Sequence, residues 1–154
     1  AQRALLPTLN KMSPIRKNGE VKHGDLDTKV EWHYKFQTIN HGCEITQVNA
    51  KVKLRYTLPK LKSNSVIIKN VWNQWYPNLM NHINGHKANA INIANKIEAE
   101  LQMLPSSSTC KQLDKVVNSI GNRWLTELRK MNENYDRDTN DGETQGANLI
   151  TYLK

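Results

Sequence analysis

The chain has 154 residues, of which 38% are hydrophobic and 23% are charged, and its formal net charge is +8. This length fits one domain, and this composition is typical of a globular protein, which excludes a disordered or fibrous chain. No apolar run approaches the roughly 20 residues of a transmembrane helix, and no nucleic-acid-binding motif accompanies the positive charge, so we expect no nucleic acid partner.

The first 29 residues show little hydrophobic periodicity. Pro14, Gly19 and Gly24 interrupt a polar segment, and residues of these types are typical of loops. We therefore predict a loop with at most one short strand, and we expect residues 1–24 to be a loose N-terminal segment.

Two long strands are predicted next. Apolar and polar side chains alternate in VEWHYKF (residues 30–36), as they do in a strand with one buried face. The alternation resumes after the turn INHG and continues over residues 48–58. The pair predicts an antiparallel hairpin with one wet face, whose apolar face must be covered by other elements. The wet face carries three cations: Lys51, Lys53 and Arg55.

Helical patterns follow the strands. Apolar residues recur at helical spacing over residues 79–104, and Pro77 either kinks this helix or lies in its first turn. A second apolar stripe predicts a last helix over residues 113–135, and the acidic, glycine-containing residues 136–149 are predicted as a loop. The elements together predict an α+β fold, in which the hairpin of the N-terminal half packs against two or three long helices.

A pair of histidines lies in the sequence HINGH, residues 82–86. A spacing of four brings His82 and His86 onto one face of the helix, nearly above one another. Helical zinc proteases use two histidines at this spacing with a glutamate directly after the first, and here that position holds Ile83. From the helix pattern alone, the pair can equally be a core histidine and a boundary residue.

A protein zinc site needs a third ligand. The acidic loop offers Asp136, Asp138 and Asp141 directly after a helix that we expect to pack against the histidine helix. The same loop can instead be a solvated helix end, so the pattern leaves both interpretations open.

The two cysteines, Cys43 and Cys110, have a spacing that is not typical of a metal site. In a cytosolic protein we would expect two independent thiols. In an exported protein we would expect one disulfide, which contributes about 4 kcal/mol for a loop of this length.

Several short segments occur in a distinctive order over about residues 25–148. They are VEWHYKF, a Gly-Cys pair before the long strand, a tryptophan-bearing segment leading into HINGH, a second cysteine after an LP break, and YDRDTNDGETQGA. This order resembles a bacterial family of uncharacterised domains that are predicted to be secreted zinc-dependent proteases. The resemblance implies a single zincin-like domain over residues 25–154, a secreted or periplasmic location, and a disulfide between Cys43 and Cys110.

The family motifs read H-E-x-x-H and Y-D-x-x-T-x-H-G. His82 and His86 match the two helical zinc ligands, and Asp141 stands where the family has its third histidine ligand. Because aspartate is a competent zinc ligand, the resemblance implies a zinc site of these three residues. The closing motif is matched at four positions: Tyr135, Asp136, Thr139 and Gly142.

The resemblance predicts an exported zinc-metalloprotease-like domain that lacks peptidase activity, because Ile83 replaces the catalytic glutamate. Loss of such an acid/base group typically costs 10²–10⁴ in rate, and nothing in the spacing shows that Glu143 substitutes for it. Two alternatives remain. One is an active, atypical metallohydrolase that uses His82, His86 and Asp141 with a base from elsewhere. The other is a basic, non-catalytic adaptor that uses Lys51, Lys53 and Arg55 on the wet face of the hairpin to bind an acidic partner, such as a peptide or protein, or an envelope surface.

Overall fold

The structure is a computed structural model that describes residues 2–154. Its helices and strands follow in chain order: α1 (Gln2–Met12), β1 (Ile15–Lys17), β2 (Glu20–Lys22), β3 (Asp25–Ile39), β4 (Gly42–Thr57), α2 (Val66–Gln102), α3 (Cys110–Asp138), and two short 3-10 helices (Glu143–Gln145 and Leu149–Tyr152). The predicted α+β class is confirmed, with antiparallel hairpins in the N-terminal half and long helices after them.

The residues form two compact units. Unit 1 comprises the chain up to Asp27, Arg55–Lys87 and Asn134–Lys154, and unit 2 comprises Thr28–Leu54 and Ala88–Glu133. The long elements β3, β4, α2 and α3 each contribute residues to both units.

Unit 2 consists of most of the β3–β4 hairpin together with parts of α2 and α3. Most of the apolar residues that alternate along the strands face the helices, as the sequence pattern predicts, whereas Phe36 is 53% exposed. A cluster of fully buried side chains fills this unit, and it includes Cys43, Ile93, Ile97, Leu113 and Val117. Its apolar burial therefore follows from the period of two along the strands and the helical period along α2 and α3.

Unit 1 is built around Trp75, which is completely buried on α2. Val71, Leu79 and Ile83 lie on the same side of α2, and Leu149 from the C-terminal segment completes the cluster. The indole nitrogen of Trp75 donates to the carbonyl of Ala147 at 2.8 Å, so its polar atom is satisfied inside the cluster.

The prediction of a loop over the first 29 residues is wrong. Residues 2–12 form α1, whose leucines at positions 5, 6 and 9 pack against the cluster around Trp75, so tertiary packing offsets the presence of Pro7. The dipeptide Asn18–Gly19 joins β1 to β2, and both residues have positive φ angles (52° and 78°), which is the turn that Asn-Gly favours in a hairpin.

The predicted boundary at the end of α3 is also wrong. The helix continues to Asp138, so Asp136 lies in its last turn and not in a loop. Pro77 is accommodated within the continuous helix α2. The prediction of one domain over residues 25–154 after a loose segment stays a prediction. No helix among residues 2–154 is both long enough and apolar enough to cross a membrane.

Candidate metal site

The two histidines of α2 point at the same carboxylate. The Nε2 atom of His86 lies 2.8 Å from Oδ1 of Asp136, and the Nε2 atom of His82 lies 3.2 Å from the same oxygen. One ligand atom from each of His82, His86 and Asp136 lies within 4.8 Å of the other two. Among residues 2–154, these three side chains lie close enough together to bind one metal ion.

Helix geometry explains this convergence. The spacing of four on α2 places both rings on one face, and the extra turn of α3 carries the Asp136 side chain to them. His82 is buried, with 8% of its surface exposed, whereas the side chain of Asp136 is 40% exposed. Burial alone would raise the pKa of Asp136, but the hydrogen bonds with His82 and His86 outweigh it and hold that pKa well below its usual range.

A second group of contacts fixes the ring of His82. The ring of Tyr135 is stacked on it, with centroids 4.9 Å apart and planes 15° apart, and Tyr135 meets the ring of His86 edge-on at 5.0 Å. The hydroxyl of Tyr135 donates to the backbone carbonyl of His82 at 2.9 Å. Nδ1 of His82 lies 2.8 Å from Oε1 of Gln145, a residue of the first 3-10 helix.

Two glycines make room for this packing. A Cβ atom at Gly85 would lie 2.1 Å from the hydroxyl oxygen of Tyr135, and one at Gly142 would lie 2.8 Å from Cγ of His82. Gly142 also has a φ angle of 88°, which L side chains rarely adopt. Both positions therefore need glycine for Tyr135 and His82 to keep their places.

The three converging side chains line a cavity of about 390 Å³ in unit 1. Its wall includes the β1–β2 hairpin and the turn after α3. Lys22 and Glu143 also line it, and neither was identified from the sequence as a cavity residue.

Ile83 occupies the position that the family motif gives to glutamate. It is 3% exposed and belongs to the apolar cluster around Trp75. Its Cδ1 atom lies directly against Gly24, because a Cβ atom added there would be 2.7 Å away. The position after His82 is therefore part of the core of unit 1 and offers no acid or base to the cavity.

The structure does not bring Asp141 into the converging group. Its carboxylate lies 3.4 Å from the ammonium nitrogen of Lys22 and is 56% exposed. Asp141 lies in a left-handed turn between Asn140 and Gly142, and its backbone N–H closes α3 by donating to the carbonyl of Asp136 at 2.7 Å. Asp141 lines the cavity, but its role as a ligand stays a prediction.

The remaining predicted residues lie as follows. Glu143 accepts a hydrogen bond from the side chain of Asn140. Cys43 and Cys110 form a disulfide in unit 2, with their Cα atoms 5.0 Å apart, so the predicted pairing is confirmed. Asp138 lies at the end of α3 and is highly exposed.

Sequence reasoning missed Gln145 altogether. It lies in a three-residue 3-10 helix between two glycines, where no hydrophobic period marks the inward side. The sequence marks this segment only by its acidic, glycine-containing composition, which does not show which of its polar side chains faces the site.

Comparisons with curated proteins and with solved structures return no match. The chain matches a family described as "Bacterial protein of unknown function" over residues 2–143. The resemblance is therefore confirmed at the level of a bacterial family of uncharacterised domains. Since the match includes α1, both hairpins, α2 and α3, the chain belongs to the DUF922 family.

Proposed function

We propose that this protein is an exported domain of the zinc-metalloprotease type that holds a divalent metal ion and does not hydrolyse peptides. The observation that carries the proposal is the convergence of His82, His86 and Asp136 on one point in unit 1. Two imidazole nitrogens and one carboxylate oxygen form a donor set that zinc uses in proteins.

The contacts of Asp136 supply the physical argument for a cation. A carboxylate oxygen only accepts hydrogen bonds, and an imidazole nitrogen that binds a metal likewise presents a lone pair. Such groups at 2.8 and 3.2 Å repel one another unless positive charge lies between them, as protons on the rings or as a metal ion. One divalent ion would satisfy all three groups together, and it would supply a Lewis acid at the wall of the cavity.

The environment of Ile83 argues against peptide hydrolysis. A hydrolytic metal site needs a group that takes a proton from water and returns it to the leaving amine. Ile83 cannot do this, and the two nearby acidic residues of the turn are engaged with Lys22 (Asp141) and Asn140 (Glu143). We therefore expect a scaffold that binds metal and has lost its base.

Metal analysis of the purified full chain tests the proposal. Protein prepared without chelator should contain about one equivalent of divalent metal, and zinc should raise its melting temperature. His86→Ala and Asp136→Asn should each lose the metal. The absence of bound metal, together with no thermal response to Zn²⁺, Co²⁺ or Mn²⁺, would contradict the proposal.

Asp141→Asn serves as the matched carboxylate control. We expect it to retain the metal, because its carboxylate contacts Lys22 and not the histidines. If Asp141→Asn loses the metal and Asp136→Asn keeps it, the third ligand is the one that the family motif predicts.

Peptidase assays separate this proposal from an active metallohydrolase. We expect no chelator-sensitive cleavage of casein or of a peptide library by the metal-loaded protein. Restoring the motif with Ile83→Glu should unfold or strongly destabilise unit 1, because the carboxylate would be buried among apolar side chains. Cleavage by the wild-type protein would show that a base comes from elsewhere.

Export is supported by the disulfide, since such bonds persist in oxidising compartments. We propose a secreted or periplasmic location. Fractionation of cells that express the native gene should recover the protein outside the cytoplasm with Cys43 and Cys110 oxidised. Recovery in the cytoplasm with free thiols would argue against export.

One observation in unit 2 favours a second function, that of a basic adaptor. A shallow cavity of about 310 Å³ on the β3–β4 hairpin is lined by Lys35, Lys51 and His33, together with two side-chain amides and Tyr34. Neither lysine has a carboxylate partner among residues 2–154, whereas Lys53 lies 3.3 Å from Glu31. An acidic peptide of a protein partner would supply the missing negative charge.

Binding of poly-glutamate by the intact protein tests this second function. Lys35→Gln combined with Lys51→Gln should weaken binding, and the binding of wild-type protein should fall as salt rises. Lys60→Gln combined with Lys62→Gln removes the same charge from exposed positions elsewhere and serves as the control. Equal weakening by the two pairs would indicate a general charge effect and no site.

A further inference from the structure

We infer that Gln145 is a positioning residue, which holds a proton on Nδ1 of His82 and thereby leaves Nε2 of that ring as the metal-binding atom. The claim that Nε2 binds the metal rests on the proposed function. The claim that Nδ1 carries a hydrogen rests only on hydrogen bonds between described residues.

The backbone carbonyl of His82 has an unambiguous hydrogen-bonding role. A carbonyl oxygen can only accept, and the hydroxyl oxygen of Tyr135 lies 2.9 Å from it. The single proton of that hydroxyl is therefore used in this bond. Tyr135 then presents only lone pairs to its other neighbour.

That neighbour is the side-chain amide of Gln145. Its Nε2 atom lies 3.0 Å from the hydroxyl of Tyr135, whereas its Oε1 atom is 3.4 Å away. Because the hydroxyl must accept here, the nearer atom has to be the donor, which is the amide nitrogen. The orientation of the Gln145 amide follows from this network.

With the amide oriented in this way, Oε1 faces the ring of His82. The distance from Oε1 to Nδ1 is 2.8 Å, and an amide oxygen can only accept. Nδ1 must therefore carry a hydrogen. Nε2, the atom that faces Asp136 and the cavity, then presents a lone pair when a metal ion lies beside it, and donates a second proton to Asp136 when none does.

The position of Gln145 is itself well defined. Its 3-10 helix starts after Gly142 and ends at Gly146, and both glycines have left-handed backbone angles. Directly after these glycines, the carbonyl of Ala147 accepts a hydrogen bond from the indole of Trp75, and Leu149 is 1% exposed. The segment is thus anchored to the core of unit 1 on its C-terminal side.

Gln145 lies two residues beyond the region that matches the family, which ends at residue 143. The metal ligands that we propose lie inside that region, and the residue that fixes the tautomer of one of them comes from the segment after it. Metal-bound histidines are commonly oriented by such outer contacts, and their loss typically costs 10–100-fold in metal affinity.

The direct test is the protonation state of His82 in the full chain without metal. Nitrogen-15 NMR should show a hydrogen on Nδ1 in wild type, whether or not Nε2 also carries one that it donates to Asp136. Gln145→Leu should release the ring to a mixture that includes the Nε2–H tautomer, while Gln145→Glu, which keeps an acceptor oxygen, should retain the Nδ1–H tautomer. The Nε2–H tautomer in wild type, or no change in Gln145→Leu, would overturn the inference.

Metal affinity gives the second readout. Competition with a chromophoric chelator should show zinc affinity reduced 10–100-fold in Gln145→Leu and largely preserved in Gln145→Glu. The absorption spectrum of bound Co²⁺ should change in the first variant only. Gln112→Leu, an exposed position on α3, is the control for loss of a glutamine side chain.

The two readouts separate the two claims. If wild-type protein binds no metal but carries a hydrogen on Nδ1 of His82 that Gln145→Leu loses, the proposed function fails and the positioning role of Gln145 stands. If wild-type protein binds metal and Gln145→Leu binds it equally well with an unchanged Co²⁺ spectrum, the positioning role fails and the metal site stands.

Discussion

The two units of this protein are stabilised by different kinds of contact. Unit 2 has ten buried residues in its apolar cluster and a disulfide, whereas the cluster of unit 1 has five buried residues among those described. Unit 1 instead contains a chain of polar contacts that links His82, His86 and Asp136 to Tyr135 and Gln145.

The two units therefore obtain their stability from different sources. Apolar burial and a covalent cross-link do not depend on a ligand, so unit 2 is complete as it stands. The groups that converge in unit 1 need protons on the histidine rings or a metal ion between them, and unit 1 should gain stability when a metal ion binds.

Removal of the disulfide should have the largest effect. The bond joins residues 67 apart in sequence, and a cross-link over a loop of this size contributes about 4 kcal/mol in the chain-entropy description. Cys43→Ser combined with Cys110→Ser should lower the free energy of unfolding by about this amount, as measured by urea denaturation. Folded protein of this variant should still bind metal, since the site residues belong to unit 1 and both cysteines belong to unit 2. A fall in stability below 1 kcal/mol would show that the cross-link matters little to unit 2.

Metal binding should produce the next largest effect, and in unit 1. Zinc at 100 times its Kd should raise the free energy of unfolding by about 2.7 kcal/mol. Hydrogen exchange should slow most in residues 134–146, which include Asp136 and Gln145. Asp136→Asn should show neither change. Slowing confined to unit 2 would place the ion elsewhere.

Two glycines, one in each unit, provide a matched pair. An added Cβ atom would lie 2.1 Å from the Tyr135 hydroxyl at Gly85 and 2.2 Å from the Trp32 ring at Gly121. Each Gly→Ala substitution should destabilise the protein by about 1–3 kcal/mol through overpacking, less the gain in helix propensity. Only Gly85→Ala should also weaken zinc binding, because it displaces the ring that stacks on His82. Equal loss of zinc affinity in both variants would contradict a site confined to unit 1.

Much of unit 2 could be predicted from the sequence, because its residues follow simple periods. Val30 packs with the helices, and the apolar stripe of α3 that begins at Leu113 packs in the same cluster. Unit 1 was harder to predict. Leu5, Leu6 and Leu9 carry a helical pattern, but Pro7 and the short length obscured it.

The site itself was predicted only in part. His82 and His86 stand out because a spacing of four has a direct geometric meaning on a helix. The third partner depends on where α3 ends, and acidic composition does not reveal that its last turn includes Asp136. Alignment to the family motif indicated Asp141, which the left-handed turn directs to Lys22. Gln145 depends on a 3-10 helix without any sequence period.

Acidification should have the smallest effect, and it compares one carboxylate from each unit. In unit 2 the hydrogen bond from Arg123 lowers the pKa of Glu100, and in unit 1 the two histidine contacts lower that of Asp136 against the effect of burial. A lowered pKa in the folded state adds stability above the unfolded pKa, which is about 4 for both groups, and this stability is lost as the pH falls further.

Urea denaturation in the presence of chelator between pH 6 and pH 2.5 measures this loss. Glu100→Gln and Asp136→Asn should each make the decline of stability below pH 5 less steep. The effect should be modest, because both side chains are more than one-third exposed. Among residues 2–154, Glu100 contacts Arg123 and Trp124, whereas Asp136 contacts His82 and His86, so the double variant should show the sum of the two effects. A clear departure from that sum would mean that the two units do not titrate independently, and that the polar contacts of unit 1 and the packing of unit 2 are energetically coupled.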